Sequence, residues 1–226
     1  QSARGYTMLL FFTLATSALL VEAIRAPRAK TYALYAAAAA LGCYTHLTMV
    51  YIVISHAMIA GANILLTQRG KFSLKPYLPP AFGFVLAGVF TILLYLPLFA
   101  DVATFFDEKK VEPAKQVATA GWALKETLRG LNVGFAGLAG VAVAFAVLGA
   151  GYLSYLRQSL TLSALFVLPA PVIIATAVLM QRPMFPRFFF VLAGFALLVA
   201  VRGAFVIGRA AARRLPPPKF LGAPEA

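Results

Sequence analysis

Seven apolar stretches, each near the length needed to cross a hydrocarbon core, follow one another along this chain. They run from Tyr6 to Ile24, Tyr32 to Tyr44, Leu47 to Leu66, Ala81 to Ala100, Leu131 to Leu156, Leu160 to Met180 and Phe188 to Ile207. A spanning helix needs roughly 20 apolar residues, because lipid offers no partner to backbone N–H and C=O groups and a helix satisfies them internally. The composition agrees. Of 226 residues, 62% are hydrophobic and 12% charged, and the mean hydropathy is +0.85, more apolar surface than a soluble domain of this size can hide. A water-soluble enzyme, a disordered chain and a disulfide scaffold are excluded. The expected fold is all-α: a polytopic transmembrane helix bundle with about seven spans over residues 1–214, followed by a disordered cytoplasmic tail at 215–226. The second stretch is short and Ala-rich, and Tyr44-Thr45-His46 after it is either a tight break or the middle of one long bent helix.

Twenty Lys and Arg against seven Asp and Glu give a net charge of +13. In a soluble chain this would point to nucleic acid; in a membrane protein it first reports orientation, because cytoplasmic segments are enriched in Lys and Arg. With the N-terminus outside, eleven of the twenty basic residues fall on inner segments: Arg25, Arg28, Lys30, Arg69, Lys71, Lys75, Arg157, Arg209, Arg213, Arg214 and Lys219. The long outer loop, 101–130, is neutral, its five basic residues facing Asp101, Asp107, Glu108, Glu112 and Glu126. The expected orientation is therefore N-terminus out and C-terminus cytoplasmic, with no nucleic-acid partner. Within the loop, Gln116 to Leu128 reads as a short interfacial helix around Trp122. Pro97, Pro169 and Pro171 are expected to bend their helices, and Ala136, Gly140 and Ala144 form a small-residue ridge suited to helix packing. The chain starts on Gln1 directly before a span, so a preceding segment is expected.

Three outer-face arginines, Arg4, Arg182 and Arg187, have no acid nearby in sequence. A guanidinium at the outer surface suits an anionic headgroup, since it can hold phosphate oxygens bidentately; the bland alternative is snorkelling to ordinary phospholipid. His46 falls at the outer end of the second span, level with Arg4 and Arg187. His56 lies deep in the third, where a satisfied interhelical hydrogen bond is expected. Ten helical residues separate the two histidines by about 80° and roughly 15 Å, so they cannot share a metal. With a single cysteine, Cys43, no metal site is expected. Glu22 is placed to pair with Arg25 three residues on. Asp107-Glu108 runs straight into Lys109-Lys110 and reads as a solvated charge cluster.

Several short motifs in order resemble one family. Ala3-Arg4-Gly5-Tyr6-Thr7-Met8-Leu9-Leu10 resembles the EARxYxLL start of a transmembrane helix in bacterial GT-C glycosyltransferases of the protein O-mannosyltransferase-like group. Leu41-Gly42-Cys43-Tyr44-Thr45-His46-Leu47 is similar to that family's LGLYTHY, and Phe185-Pro186-Arg187-Phe188-Phe189 to its PRY element before a late span. Ser2 replaces the usual Glu and Phe188 the usual Tyr. The resemblance implies inverting transfer of a sugar from a polyprenyl-phosphate donor to a protein, lipid or glycan acceptor at the outer face of the bacterial inner membrane. It implies Arg4 and Arg187 as phosphate contacts, with Tyr6 and His46 orienting donor or acceptor. No cofactor is implied beyond the lipid-linked sugar, and dependence on a divalent metal stays open. The family's catalytic acid lies in the first outer loop, which would fall upstream of Gln1. The competing reading is a non-catalytic membrane subunit or transporter fragment whose arginines only anchor it at the interface.

Overall fold

The computed structural model describes residues 2–68, 73–98, 121–122, 125–126, 129–130, 137–179 and 186–214, with the side chains of 2–4, 138 and 186 outside the description. The described residues are all-helical. They form α1 (Ser2–Arg25), α2 (Ala29–Thr45), α3 (Met49–Thr67), α4 (Leu78–Tyr95), α5 (Leu138–Gln158), α6 (Leu160–Val167), α7 (Pro169–Leu179) and α8 (Ala193–Ala212). Short 3₁₀ turns at Lys75–Tyr77, Leu96–Leu98 and Pro186–Leu192 join or extend them. The loop helix read over Gln116 to Leu128, the charges between Asp101 and Lys115, Arg182, and the tail at 215–226 lie largely or wholly outside the described residues.

Five helices are long and apolar enough to cross a membrane, and a sixth crossing is made if α6 and α7 count as one span bent by 41°. That bend falls before Pro169, whose ring cannot continue the preceding helix. Likewise α4 tightens into a 3₁₀ turn around Pro97. The second stretch, α2, has 17 residues, about 25 Å of helix, which is short for a hydrocarbon core of roughly 30 Å. It is instead the best-covered helix: Tyr35, Ala36, Ala39 and Ala40 are almost fully buried against α1, α3 and α4. Alanine makes this possible, since its small side chain lets neighbouring backbones approach.

A chain of hydrogen bonds fixes the register of the first three helices. Tyr35 on α2 lies 3.1 Å from His56 Nδ1 on α3, and His56 Nε2 lies 3.1 Å from Ser17 Oγ on α1. Ser17 Oγ donates to the Thr13 carbonyl at 2.7 Å, so its lone pairs accept from His56 Nε2–H and the Tyr35 hydroxyl donates to Nδ1. His56 is thus the satisfied interhelical residue expected, and all three side chains are buried.

The helices alternate in direction. The start of α1 meets the end of α2 through Tyr6 and His46, and α4 runs alongside α2, Gly83 meeting Tyr32 near their starts and Tyr95 bonding the Cys43 carbonyl near their ends. The first halves of α5 and α8 line one groove and their second halves join through Ser154 and Arg202, so these two also run the same way. They cross at Gly151 and Gly203, where a Cβ on either glycine would collide with the facing carbonyl, of Val199 or Val147 respectively. The close packing expected of Gly140 and Ala144 is therefore made further along: those two line the groove where the helices part. Glu22 makes no ion pair with Arg25; the one salt bridge among the described residues joins Arg129 to Glu126 at 3.9 Å.

Two changes test this packing. Gly151→Val must push α5 off α8 at a cost of about 1–3 kcal/mol, read as a lower melting midpoint of the purified protein. Tyr35→Phe leaves His56 Nδ1 buried without its donor and costs about 0.6–2 kcal/mol, whereas the exposed Tyr44→Phe is expected to change the midpoint little.

Candidate functional site

At the end of the bundle where α1 begins, three elements converge. The break between α2 and α3 is built by its own sequence. His46 leaves the helix in an extended conformation (φ −160°, ψ 124°), and its N–H still donates to the Gly42 carbonyl. Thr45 Oγ1 donates to that same carbonyl at 2.7 Å, so the last turn of α2 is satisfied by the residues that end it. Gly42 must be small here, since a Cβ would sit 2.9 Å from Met49 and 3.0 Å from Phe12.

The His46 ring is held by the start of α3. The Thr48 backbone N–H donates to His46 Nδ1 at 3.3 Å and the Thr48 hydroxyl lies 2.8 Å from the same nitrogen. A nitrogen that accepts from a backbone N–H carries no proton, so the neutral ring bears its hydrogen on Nε2. Burial, and secondarily the nearby positive charge of Arg187, hold the His46 pKa below the ordinary histidine value. The ring therefore works as a neutral hydrogen-bond donor through Nε2.

Tyr6, in the second turn of α1, lies between two rings: His46 at 5.3 Å between centroids and Phe190 at 5.0 Å, edge-on. Phe190 belongs to the 3₁₀ stretch Pro186–Leu192. With three residues per turn, Arg187 and Phe190 stand on the same side of this stretch, and Arg187 is near enough for its charge to act on the His46 ring. The guanidinium carbon of Arg187 lies 5.9 Å from the Phe188 ring centre, and the side chain is exposed. Beneath them lies a fully buried apolar floor of Leu9, Met49, Ile52, Ile173 and Val191.

Of the four residues singled out from sequence, Tyr6, His46 and Arg187 thus share one end of the bundle. Arg4 lies in the first turn of α1, two residues before Tyr6, and its side chain is outside the described residues. Two participants were not read from the sequence. Phe190 completes the aromatic stack, and Thr48 fixes the His46 tautomer. Thr48 could have been found as the hydroxyl residue two positions after a histidine at a helix break, a common capping position; nothing distinguishes Phe190 within a run of three phenylalanines. Of the two described carboxylates, Glu22 is at the far end of α1 and Glu126 pairs with Arg129. No group of three His, Cys, Asp or Glu able to hold a metal occurs among the described residues. The arrangement offers a cation and neutral donors above an apolar floor, which suits an anion attached to something apolar.

No family model, curated protein or solved structure matches this chain.

The state of His46 gives a pH dependence with a definite sign. Its folded pKa lies below the unfolded value of about 6.5, so the unfolded chain takes up the proton first. The stabilisation from the neutral ring is complete above that value and declines as the pH falls below it. The melting midpoint is expected to drop between pH 7.5 and pH 5.5, and His46→Gln is expected to flatten that part of the profile; an unchanged slope in the variant would contradict the assignment.

Proposed function

We propose that this chain is the central and C-terminal part of a membrane glycosyltransferase of the GT-C, protein O-mannosyltransferase-like kind. It would transfer a sugar from a polyprenyl-phosphate donor to an acceptor at the outer face of a bacterial inner membrane. The observation that carries this reading is the meeting of Tyr6, His46 and Arg187 at one end of the bundle. Each comes from a separate motif of the resemblance. Motifs that only happened to look familiar would have no reason to converge in space.

Orientation supports placing this end outside. Arg28, Lys30, Lys75, Arg157, Arg213 and Arg214 all sit at the opposite end, where α1, α3, α5 and α8 finish and α2, α4 and α6 begin. A basic end is the cytoplasmic one. On this reading α2 is a thin but well-covered crossing and α6–α7 one bent crossing, which with the five long apolar helices would make seven passes and put the two ends of the chain on opposite sides.

The chemistry follows from charge. As the glycosidic bond to the lipid phosphate breaks, negative charge grows on the leaving phosphate. A fixed guanidinium and neutral N–H and O–H donors stabilise that charge without moving a proton. Arg187, with Arg4 from the start of α1, takes the phosphate oxygens; His46 Nε2–H and the Tyr6 hydroxyl set its position. The polyprenyl chain lies in the lipid against the apolar helices below. The base that activates the acceptor belongs to the segment expected before Gln1. The second reading, a non-catalytic subunit, draws on the exposure of Arg187 and its posture over Phe188, which is also that of an interfacial anchor.

The deciding experiment is sugar transfer from radiolabelled polyprenyl-phosphate sugars by the full-length protein. Arg187→Ala and Arg4→Ala are each expected to lower kcat/KM by about a hundredfold, with the folded yield unchanged. Activity equal to wild type in both variants would favour the anchor reading.

A further inference from the structure

Arg202 is a different case from the basic residues at the helix ends. It lies inside the apolar segment Arg187–Ala212, where a guanidinium is costly unless something answers its charge. Its Nε donates to Ser154 Oγ on α5 at 3.0 Å, and its guanidinium carbon lies 5.9 Å from the Tyr155 ring centre. Gln158 Nε2 reaches the same Ser154 oxygen at 3.4 Å. Both nitrogen groups therefore donate to one hydroxyl oxygen, which leaves the terminal guanidinium nitrogens of Arg202 to find other acceptors. Arg202 forms no ion pair with either described carboxylate: Glu22, near the end of α1, is not within bridging distance, and Glu126 is held by Arg129.

The cluster is built into the packing. The Gly151–Gly203 crossing brings the two backbones together, and Ser154 and Arg202 flank it. Ser154 is four residues from Gln158, the end of α5, so the cluster lies about 6 Å, roughly one turn, inside that helix end. A lipid phosphate at the membrane surface can reach this depth. On the same half of α8, about a quarter-turn around the helix from Arg202, a shallow apolar groove along Val201, Ala204, Phe205 and Gly208 ends at Arg209 and Ala212, with room for an acyl chain.

We infer that Arg202, Ser154 and Gln158 bind the phosphate of an anionic phospholipid in the leaflet opposite the Tyr6–His46–Arg187 end. The guanidinium holds two phosphate oxygens with its terminal nitrogens, the hydroxyl and amide add neutral donors, and one acyl chain follows the α8 groove. The lipid would thereby supply the counter-charge that neither described carboxylate provides and clamp α5 to α8 below their crossing. This site does not depend on the glycosyltransferase reading.

The test is native mass spectrometry of the purified full chain released from micelles containing phosphatidylglycerol or phosphatidylcholine. Wild type is expected to retain one phosphatidylglycerol with about a tenfold preference over phosphatidylcholine, the size expected of one charge-assisted contact. Arg202→Gln is expected to abolish the preference, and Arg213→Gln, at the same end beyond the helix, to keep it. A preference that survives Arg202→Gln, or is lost equally in Arg213→Gln, overturns the site in favour of diffuse charge. Millimolar inorganic phosphate is expected to leave the lipid bound; displacement would assign the cluster to a soluble phosphate and overturn the lipid. If Arg202→Gln does not fold, Ser154→Ala decides, with loss of preference expected and an unchanged preference overturning the proposal.

Discussion

The rest of the structure depends on one buried chain of hydrogen bonds, Tyr35 to His56 to Ser17 to the Thr13 carbonyl. In an apolar interior a polar side chain without a partner is expensive, so three polar side chains on three helices can be buried only if all their bonds form together. That requirement fixes the helices in height and rotation, which apolar packing alone leaves free to slide. The consequence reaches the end of the bundle. Tyr6 is eleven residues before Ser17 and His46 eleven residues after Tyr35. Eleven residues make about three turns, roughly 16 Å, so both residues come back to the same faces at the same height. The 5.3 Å stack of Tyr6 on His46 is that register carried upward.

A second constraint governs the other half of the chain. Here α5 and α8 meet through glycine, and the close backbone approach takes the place of a polar lock. The arrangement is shaped like a narrow V closed at Gly151 and Gly203 and open towards the Pro186–Leu192 end, where small residues such as Gly140, Ala144, Ala193 and Ala196 leave a groove. Arg202 and Ser154 add a polar contact below the crossing. One side of the molecule is thus locked by hydrogen bonds and the other by sterics. The Pro186–Leu192 stretch, which carries Arg187, connects the two: its Phe190 touches Tyr6 on the locked side, and it leads directly into α8.

Much of this was legible because the bilayer reduces the problem to apolar length and the placement of charge. The all-helical class followed from runs of about 20 apolar residues; Tyr44-Thr45-His46 was legible only as a break or a bend, and the structure makes it a break. The role of His56 followed from its depth in an apolar helix. What failed to show in the sequence was pairwise. The ridge at Gly140 and Ala144 looked as suitable for tight packing as Gly151, and only the partner helix decides which small residue meets a backbone. Glu22 and Arg25 have the right spacing for a pair, but on a surface facing water the gain is too small to hold two long side chains together. The 17 residues of α2 read as a short, Ala-rich stretch, and how completely its neighbours cover it showed only in the structure.

The chemistry of the Tyr6–His46 end of the bundle is set by what His46 is prevented from doing. Its Nδ1 is committed to the Thr48 backbone N–H, and both burial and Arg187 disfavour a second proton. A histidine in this position cannot take a proton from an acceptor hydroxyl without breaking its own anchor and adding a cation beside an arginine. It can only donate. On the proposed reading, this divides the reaction between two regions. The described end would hold and stabilise the departing lipid phosphate, and proton removal would fall to a group other than His46. An arrangement in which His46 served as the base would need Thr48 turned away and Arg187 paired with an acid at the site, and the geometry around Nδ1 is built the other way.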